Sequence, residues 1–338
     1  MSAPCKSLLA AACLSIVAVP AAAHHSPAAF DLTQDVYLEG VVTEASWRNP
    51  HVYLELQTVG ADGTVKLRQI EAGPASALVA MGFGADMILK GERLKIQAKA
   101  NRGGPDRVVL GWLLTKADGT VIPLHVRAQT SGVGSTAEAK SLAGVWVPQA
   151  TGFSSLAVAS RDWPLTEKAR AEAAATRDAR AAQRAACVPY GPPALMAVPS
   201  ALTVEVGPSE VTFTIDAMNV RRVVHLDQQT HPAALAPSAL GHSIGHWEGG
   251  TLVVDTAGFS AEPEGYAFDL PSSAAKHVVE RFALSADRKH VEYEAKVEDA
   301  EFLTAPVTHR SQWNYRPELK PSNLPCDPEA ASRFRTDE

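Results

Sequence analysis

Histidine and carboxylate side chains are concentrated between positions 221 and 255. This segment holds Arg221, His225, Asp227, His231, His242, His246 and Asp255. Histidine titrates near neutral pH and a neighbouring carboxylate can orient its ring, so a His–Asp pair can move protons during a reaction. The candidate catalytic residues are His225, His242, His246 and Asp255, and the candidate ligand-binding residues are Arg221, His231 and Trp247.

Strand periodicity predicts how these side chains meet. Alternate residues of a strand share one face, so Arg221 and His225 lie together on one strand, and His242 and His246 on another. Facing strands would bring His225 next to His242 or His246 in the mouth of a barrel. The alternative is structural: His242 hydrogen-bonds the backbone in a turn, and the Asp255 carboxylate accepts from backbone amides at a strand end.

A second candidate site lies at the start of the mature chain. Lys6, the apolar run 7–19 and the small residues Ala21 and Ala23 predict a signal peptide over 1–23, cleaved before His24. The free amine and imidazole of His24 would chelate one metal ion, and His25 or His51 would add a further imidazole, which suits copper(II). The alternative is a flexible terminus, with His51 hydrogen-bonded to the backbone.

Charge and cysteine content bound the remaining possibilities. A net charge of −6 over 338 residues argues against a nucleic-acid partner, and no later segment is apolar enough to span a membrane. Cys187 and Cys326 remain after cleavage, and we expect a disulfide between them in the periplasm or outside the cell. The alternative is two buried thiols. The segment Gly241-His242-Ser243-Ile244-Gly245 has the letters of G-x-S-x-G, but Ser243 lacks the strand–turn–helix context of a nucleophile elbow. The sequence has no P-loop, dinucleotide or H-E-x-x-H motif.

The periodic segments predict a mainly β protein with two domains. Strand patterns near 36–45, 51–59, 65–71, 92–100, 107–114 and 120–124, with one short helix at 75–81, favour an OB-like small barrel over 24–128. A Ser-, Gly- and Ala-rich linker follows at 129–140.

The second domain is predicted over 141–316. It opens with Gly144-Val145-Trp146, continues with a helix capped by Thr166 over 167–186, and then becomes a β-meander. Eight further strands favour a lipocalin-like barrel or a sandwich with one surface helix. They are expected at 202–206, 211–216, 221–226, 243–247, 252–256, 278–284, 290–297 and 307–315. The tail 317–338 is Pro-rich.

Two family resemblances accompany this division. HHSPAAFD at 24–31 and GVVTEASWRNPH at 40–51 resemble the DUF6152 family of exported bacterial proteins. The second domain resembles another exported bacterial family through CVPYGPP at 187–193, HP at 231–232, GHSIGHWEGGTLVVDTAGF at 241–259 and ERF at 280–282. That family usually has Arg at the position of His246 and Asp at that of Gly250. Neither resemblance implies an activity.

Two functional hypotheses follow. The first is an exported binding protein that holds a small molecule in the second barrel and copper at its N terminus. The second is an exported enzyme that uses the His/Asp residues for acid–base chemistry on a small molecule, as a hydratase, lyase, isomerase or hydrolase. A structural module of the cell envelope is a third possibility.

Overall fold

The computed structural model describes residues 29–60, 62–125, 128, 137–267, 270–322 and 324–328. The predicted signal peptide, residues 1–23, lies outside these residues. His24 and His25, which follow the predicted cleavage site, also lie outside them. The described chain is mainly β, as predicted. None of its helices is long and apolar enough to cross a membrane.

The first part of the chain forms a small barrel, called here the N-terminal barrel. Its elements are β1 (Phe30–Trp47), β2 (Val52–Val59), β3 (Val65–Glu71), α1 (Ala75–Ala80), β4 (Arg93–Asn101), β5 (Val109–Lys116) and β6 (Val121–Pro123). The sheet order is β3-β2-β1-β4-β5-β6. A parallel pairing of β3 with β5 closes a ring of five strands, which confirms the predicted OB-like arrangement.

The long strand β1 makes this closure possible. Its first part pairs with β4 and its second part with β2, with an irregularity between Val42 and Glu44. Such a bulge bends a strand and lets it serve both sides of a barrel. Gly40 lies where the two pairings overlap. Glycine fits this position because an added Cβ would lie only 2.5 Å from the Gln57 carbonyl oxygen.

The second part of the chain forms a closed barrel of nine strands, called here the C-terminal barrel, in the order β10-β11-β12-β15-β16-β17-β7-β8-β9. These strands are β7 (Gly144–Pro148), β8 (Leu202–Val206), β9 (Glu210–Ile215), β10 (Val220–His225), β11 (His242–Glu248), β12 (Thr251–Ala257), β15 (Lys276–Leu284), β16 (His290–Asp299) and β17 (Val307–Tyr315). All eight strands expected after the helix are present, and β7 adds the ninth.

Several local features differ from the predictions. The helical region is divided into α2 (Ala150–Ala159), α3 (Glu167–Ala175), α4 (Arg177–Ala185) and α5 (Ala194–Ala197), with Thr176 between α3 and α4. The Thr166 cap is confirmed, since its side chain accepts from the Ala169 amide. An additional hairpin joins β13 (Glu262–Ala267) and β14 (Leu270–Ser272). The meander is broken once, because β10 and β11 run parallel.

Large side chains fill the interior of the C-terminal barrel. Phe213, Phe282, Tyr293 and Trp313 are buried and contact one another through their rings, with centroids 5.1 to 6.4 Å apart. The indole of Trp313 also donates to the Met196 carbonyl of α5. Packed aromatic rings of this kind make a core rather than a ligand cavity.

The predicted disulfide is confirmed. Cys187 and Cys326 are bonded, with their Cα atoms 5.9 Å apart, and the bond closes a loop of 139 positions. Cys187 follows α4 in a left-handed backbone conformation, with φ of 57°. The bond therefore fixes the C-terminal tail to the end of the helical region.

Candidate functional site

A cluster of histidines and carboxylates lies on the outer surface of the C-terminal barrel. Five adjacent strands contribute to it, each with one side chain: His225 on β10, His242 on β11, Asp255 on β12, His277 on β15 and Glu298 on β16. His231, from the loop between β10 and β11, completes the cluster. We call this set the histidine cluster.

Asp255 is the centre of the histidine cluster. Its Oδ1 atom lies 2.9 Å from Nε2 of His231 and 2.9 Å from Nε2 of His277. The other ring nitrogen of His231, Nδ1, lies 2.9 Å from Nδ1 of His242. His225 stacks on His242 with ring centroids 5.1 Å apart. The cluster is therefore one connected network.

The loop that carries His231 is held against the barrel. Ser238 forms a bridge with Phe259, and its carbonyl accepts from the amides of Gly241 and Ser260. Gly241 has a φ of +65°, in the left-handed region that favours glycine, and immediately precedes His242. The chain therefore turns into β11 beside β10 and brings His231 and His242 together.

A buried polar network lies behind the histidine cluster on the same five strands. Its members are Arg222, Ser243, Thr256, Glu280 and Tyr293. Arg222 and Glu280 form a buried ion pair, and Tyr293 donates to Glu280 at 2.9 Å. In the sequence, Ser243 directly follows His242, Thr256 directly follows Asp255, and Arg222 directly follows the outward-facing Arg221. Because strand residues alternate, this inward network and the outward histidines fix each other's orientation.

Hydrogen bonding determines which nitrogens can carry protons. The ionised Asp255 carboxylate accepts only, so His231 donates to it through Nε2–H. In neutral His231, Nδ1 is then an acceptor and takes the Nδ1–H of His242. The Nε2 atom of a neutral His242 consequently bears a lone pair, and no residue of the described chain hydrogen-bonds to it.

The surroundings move the pKa values of the cluster apart. Burial lowers the pKa of His242, and the neighbouring His225 and His231 lower it further. The hydrogen bond to Asp255 raises the pKa of His277. The hydrogen bonds from His277 and His231 lower the pKa of Asp255. At neutral pH this favours a neutral His242 beside an ionised Asp255.

The structure brings four of the seven candidate residues from the 221–255 segment into the cluster and leaves three outside. His225, His231, His242 and Asp255 meet, but on the outside of the barrel instead of in its mouth. His246 is exposed and lies 3.2 Å from Glu248. Arg221 pairs with Glu210 at 3.2 Å, and Trp247 is 39% exposed. These three belong to the solvated surface.

His277 and Glu298 are cluster members that the sequence analysis missed. The predicted strand began at Val278, one residue after His277, whereas β15 begins at Lys276. Glu298 contacts the other ring nitrogen of His277, with Nδ1 and Oε2 3.8 Å apart. His277 could have been found by extending the alternation of the predicted strand toward its start, since alternation places His277 on the same face as Val279 and Arg281.

Lys276 is a further buried polar residue that the sequence analysis missed. Its Nζ atom donates to the Gly265 carbonyl at 2.8 Å and lies 4.0 Å above the centre of the Phe259 ring. Burial lowers the pKa of Lys276 to about 7. Together with the buried contact between Tyr266 and Asp299, this residue attaches the β13–β14 hairpin to the barrel.

Of the three predicted metal ligands, His51 lies among the described residues, in the N-terminal barrel. His51 Nδ1 lies 3.1 Å from the Ala72 carbonyl oxygen and 3.4 Å from Oε1 of Glu71. Its predicted partners His24 and His25 lie outside the described residues. Within the described ranges, no group of three or more His, Cys, Asp or Glu side chains is arranged to hold a metal ion.

A cleft of about 560 Å³ lies away from the histidine cluster. Helix α2 and strands β12, β15, β16 and β17 line it. Its two arginines are already paired, Arg281 with Glu248 and Arg310 with Glu294. The histidines with shifted pKa values and Asp255 do not line this cleft. We therefore choose the histidine cluster as the candidate site because of its shifted pKa values, and not because it forms a pocket.

Comparison with known proteins identifies only the first part of the chain. Residues 11–109 match DUF6152, a family of unknown function. This agrees with the resemblance seen at 24–31 and 40–51. No curated protein and no solved structure matches the chain. The matched region ends before the C-terminal barrel, so the match says nothing about the histidine cluster.

Proposed function

We propose that this protein is an exported enzyme that carries out acid–base chemistry at the histidine cluster, with His242 as the general base. The observation that supports this most is the chain of contacts from Asp255 through His231 to His242, each 2.9 Å long. A carboxylate that orients an imidazole base is a recurring arrangement for proton transfer, and here a second imidazole, that of His231, lies between the carboxylate and the base.

The proton movement follows from the tautomers. His242 Nε2 takes a proton from water or a substrate group, and the ring becomes cationic. Its Nδ1–H then donates to His231, and the charge is stabilised by Asp255 beyond it. Water activated in this way adds to an acyl carbon. The bond from that carbon to the leaving group then breaks, and the cationic His242 gives its proton to the leaving group, so we favour hydrolysis within the acid–base class.

His277 has a positioning role in this proposal. Its hydrogen bond keeps Asp255 ionised, as the lowered pKa of Asp255 indicates. His225 stacks against the base and disfavours its cationic form, which keeps His242 ready to accept a proton at neutral pH.

The aromatic core of the C-terminal barrel is why we place the reaction on its outer face. Phe213, Phe282 and Trp313 occupy the interior where a lipocalin-like ligand would lie. Export is proposed from the N-terminal sequence and is supported by the Cys187–Cys326 bond, which is typical of oxidising compartments.

Copper binding at the mature N terminus is a second proposed function. It is supported by His51, whose Nδ1 contacts a backbone carbonyl and a carboxylate. Metal-ligating histidines are usually oriented through their second nitrogen in this way.

Hydrolysis of 4-nitrophenyl acetate by the purified mature protein tests the acid–base proposal without knowledge of the natural substrate. We expect His242→Gln and Asp255→Asn to lower the protein-dependent rate by about 100-fold, a usual contribution of a general base. His246→Gln is the matched control, because this exposed histidine lies outside the network, and its rate should stay unchanged. Equal rates for all four proteins would contradict the proposal.

A further inference from the structure

The described residues of the C-terminal tail, 317–322 and 324–328, contact both barrels. On the side of the N-terminal barrel, Asn49 is the main partner: its side chain donates to the Leu324 carbonyl at 2.8 Å, and its carbonyl accepts from the Asp327 amide at 2.9 Å. Leu324 packs against the core of this barrel. Arg48 and Asp327 form an ion pair of 2.7 Å.

The same tail is attached to the C-terminal barrel by different groups. The Ser322 amide and hydroxyl both donate to the Asp216 carboxylate, at 3.0 and 2.8 Å. The Asp216 carbonyl in turn accepts from Asn49 at 3.3 Å. Four positions after Ser322, Cys326 forms the disulfide with Cys187. Asn49 and Asp216 are both buried at this junction, each 1% exposed.

We propose that the tail is an interdomain clasp and that the Cys187–Cys326 bond keeps it closed. The covalent bond holds the tail on the C-terminal barrel, while Leu324, Asp327 and the backbone around Cys326 hold the N-terminal barrel. Without the bond, a few hydrogen bonds, the packing of Leu324 and one exposed ion pair must order the tail against its conformational entropy. Opening the bond therefore weakens the coupling of the barrels, which then depends on these contacts and on the Asn49–Asp216 hydrogen bond, while each barrel keeps its own core.

Both cysteines are half-buried rather than enclosed in a core, so we expect a small reductant to reach the bond. A dithiol such as dithiothreitol donates two electrons and two protons, which gives two cysteine thiols and the cyclic disulfide of the reagent. The clasp thus makes domain coupling sensitive to the thiol redox state.

Small-angle X-ray scattering of the full mature chain, before and after dithiothreitol treatment, tests this inference. We expect reduction to increase the radius of gyration by about 2 Å or more over that of the compact oxidised chain, with unchanged far-UV circular dichroism. Identical scattering after mass spectrometry has verified two free thiols would overturn the clasp.

A variant that retains the disulfide separates the clasp from any general effect of the bond. The double substitution Arg48→Ala and Leu324→Ser removes contacts to the N-terminal barrel only, and the oxidised variant should expand as the reduced protein does. Lys66→Ala, which breaks an exposed ion pair with Asp106 inside the N-terminal barrel, is the control and should scatter as wild type. Failure of the double variant to expand would also overturn the clasp.

Discussion

The Nε2 atom of His231 lies 2.9 Å from Oδ1 of Asp255, although 24 positions separate the two residues. One belongs to the loop that crosses from β10 to β11, and the other to β12, on the outer face of the barrel. Their contact depends on the parallel pairing of β10 with β11. Because the two strands run in the same direction, the loop between them must cross the outer face of the barrel, where Asp255 lies. The proposed relay is thus a consequence of the one irregular connection among the strands that carry the site.

The buried ion pair behind the cluster is expected to dominate the stability of this region. Arg222→Met should lower the free energy of unfolding by about 3 to 5 kcal/mol, because it leaves the Glu280 carboxylate buried without its counter-charge. Urea denaturation followed by circular dichroism measures this loss.

The neighbouring arginine provides the control for that measurement. Arg221→Met removes an exposed pair with Glu210 and should change stability by less than about 1 kcal/mol. A similar loss of unfolding free energy for both substitutions would show that the buried Arg222–Glu280 pair stabilises the protein no more than the exposed Arg221–Glu210 pair.

His309 should make the protein sensitive to acid. Its side chain is buried, and its Nε2 atom has no hydrogen-bond partner among the described residues. Burial lowers the pKa of His309 to about 4. The unfolded chain binds this proton first as the pH falls through 6.5, so stability is lost between about pH 6.5 and 4.

Replacement of this histidine tests the effect. Between pH 7 and pH 5, the wild-type free energy of unfolding should fall by about 2 kcal/mol more than that of His309→Phe. Urea titrations of both proteins at the two pH values give this difference. An equal fall in both proteins would contradict the assignment of acid sensitivity to His309.

Strand positions could be predicted from the sequence because alternation is a local property. The residues of β10 and β11 alternate as expected, and Gly249 and Gly250 turn the chain between β11 and β12. The disulfide was predictable because Cys187 and Cys326 are the two cysteines that follow the predicted cleavage site.

Which face of each strand lies inside was not predictable from alternation alone. The inward face of β10 carries the charged Arg222, whose partner Glu280 lies 58 positions away. An arginine in a strand normally indicates the solvent side, but β10 carries two consecutive arginines, Arg221 and Arg222, which lie on opposite faces. The histidines therefore lie outside the barrel, and His277 joins them from a strand whose start was placed two residues too late.

The copper proposal has its own test. Protein processed in a bacterial periplasm, with His24 verified as the first residue by intact mass, should carry one copper ion per chain by elemental analysis. An extra alanine before His24 should abolish binding, because it displaces the amine from the imidazole it would chelate with. A copper-free protein with a verified His24 terminus would remove this proposal.

The central claim, that Asp255 organises the cluster for proton transfer, is tested most directly by histidine-selective NMR titration of the mature protein. We expect His242 to titrate below and His277 above the ordinary value of 6.5, with neutral His242 protonated on Nδ1. Asp255→Asn should return the His277 titration toward 6.5, because the hydrogen bond that raises its pKa is weakened. If His242 and His277 titrate together and Asp255→Asn moves neither, the cluster is not a proton relay.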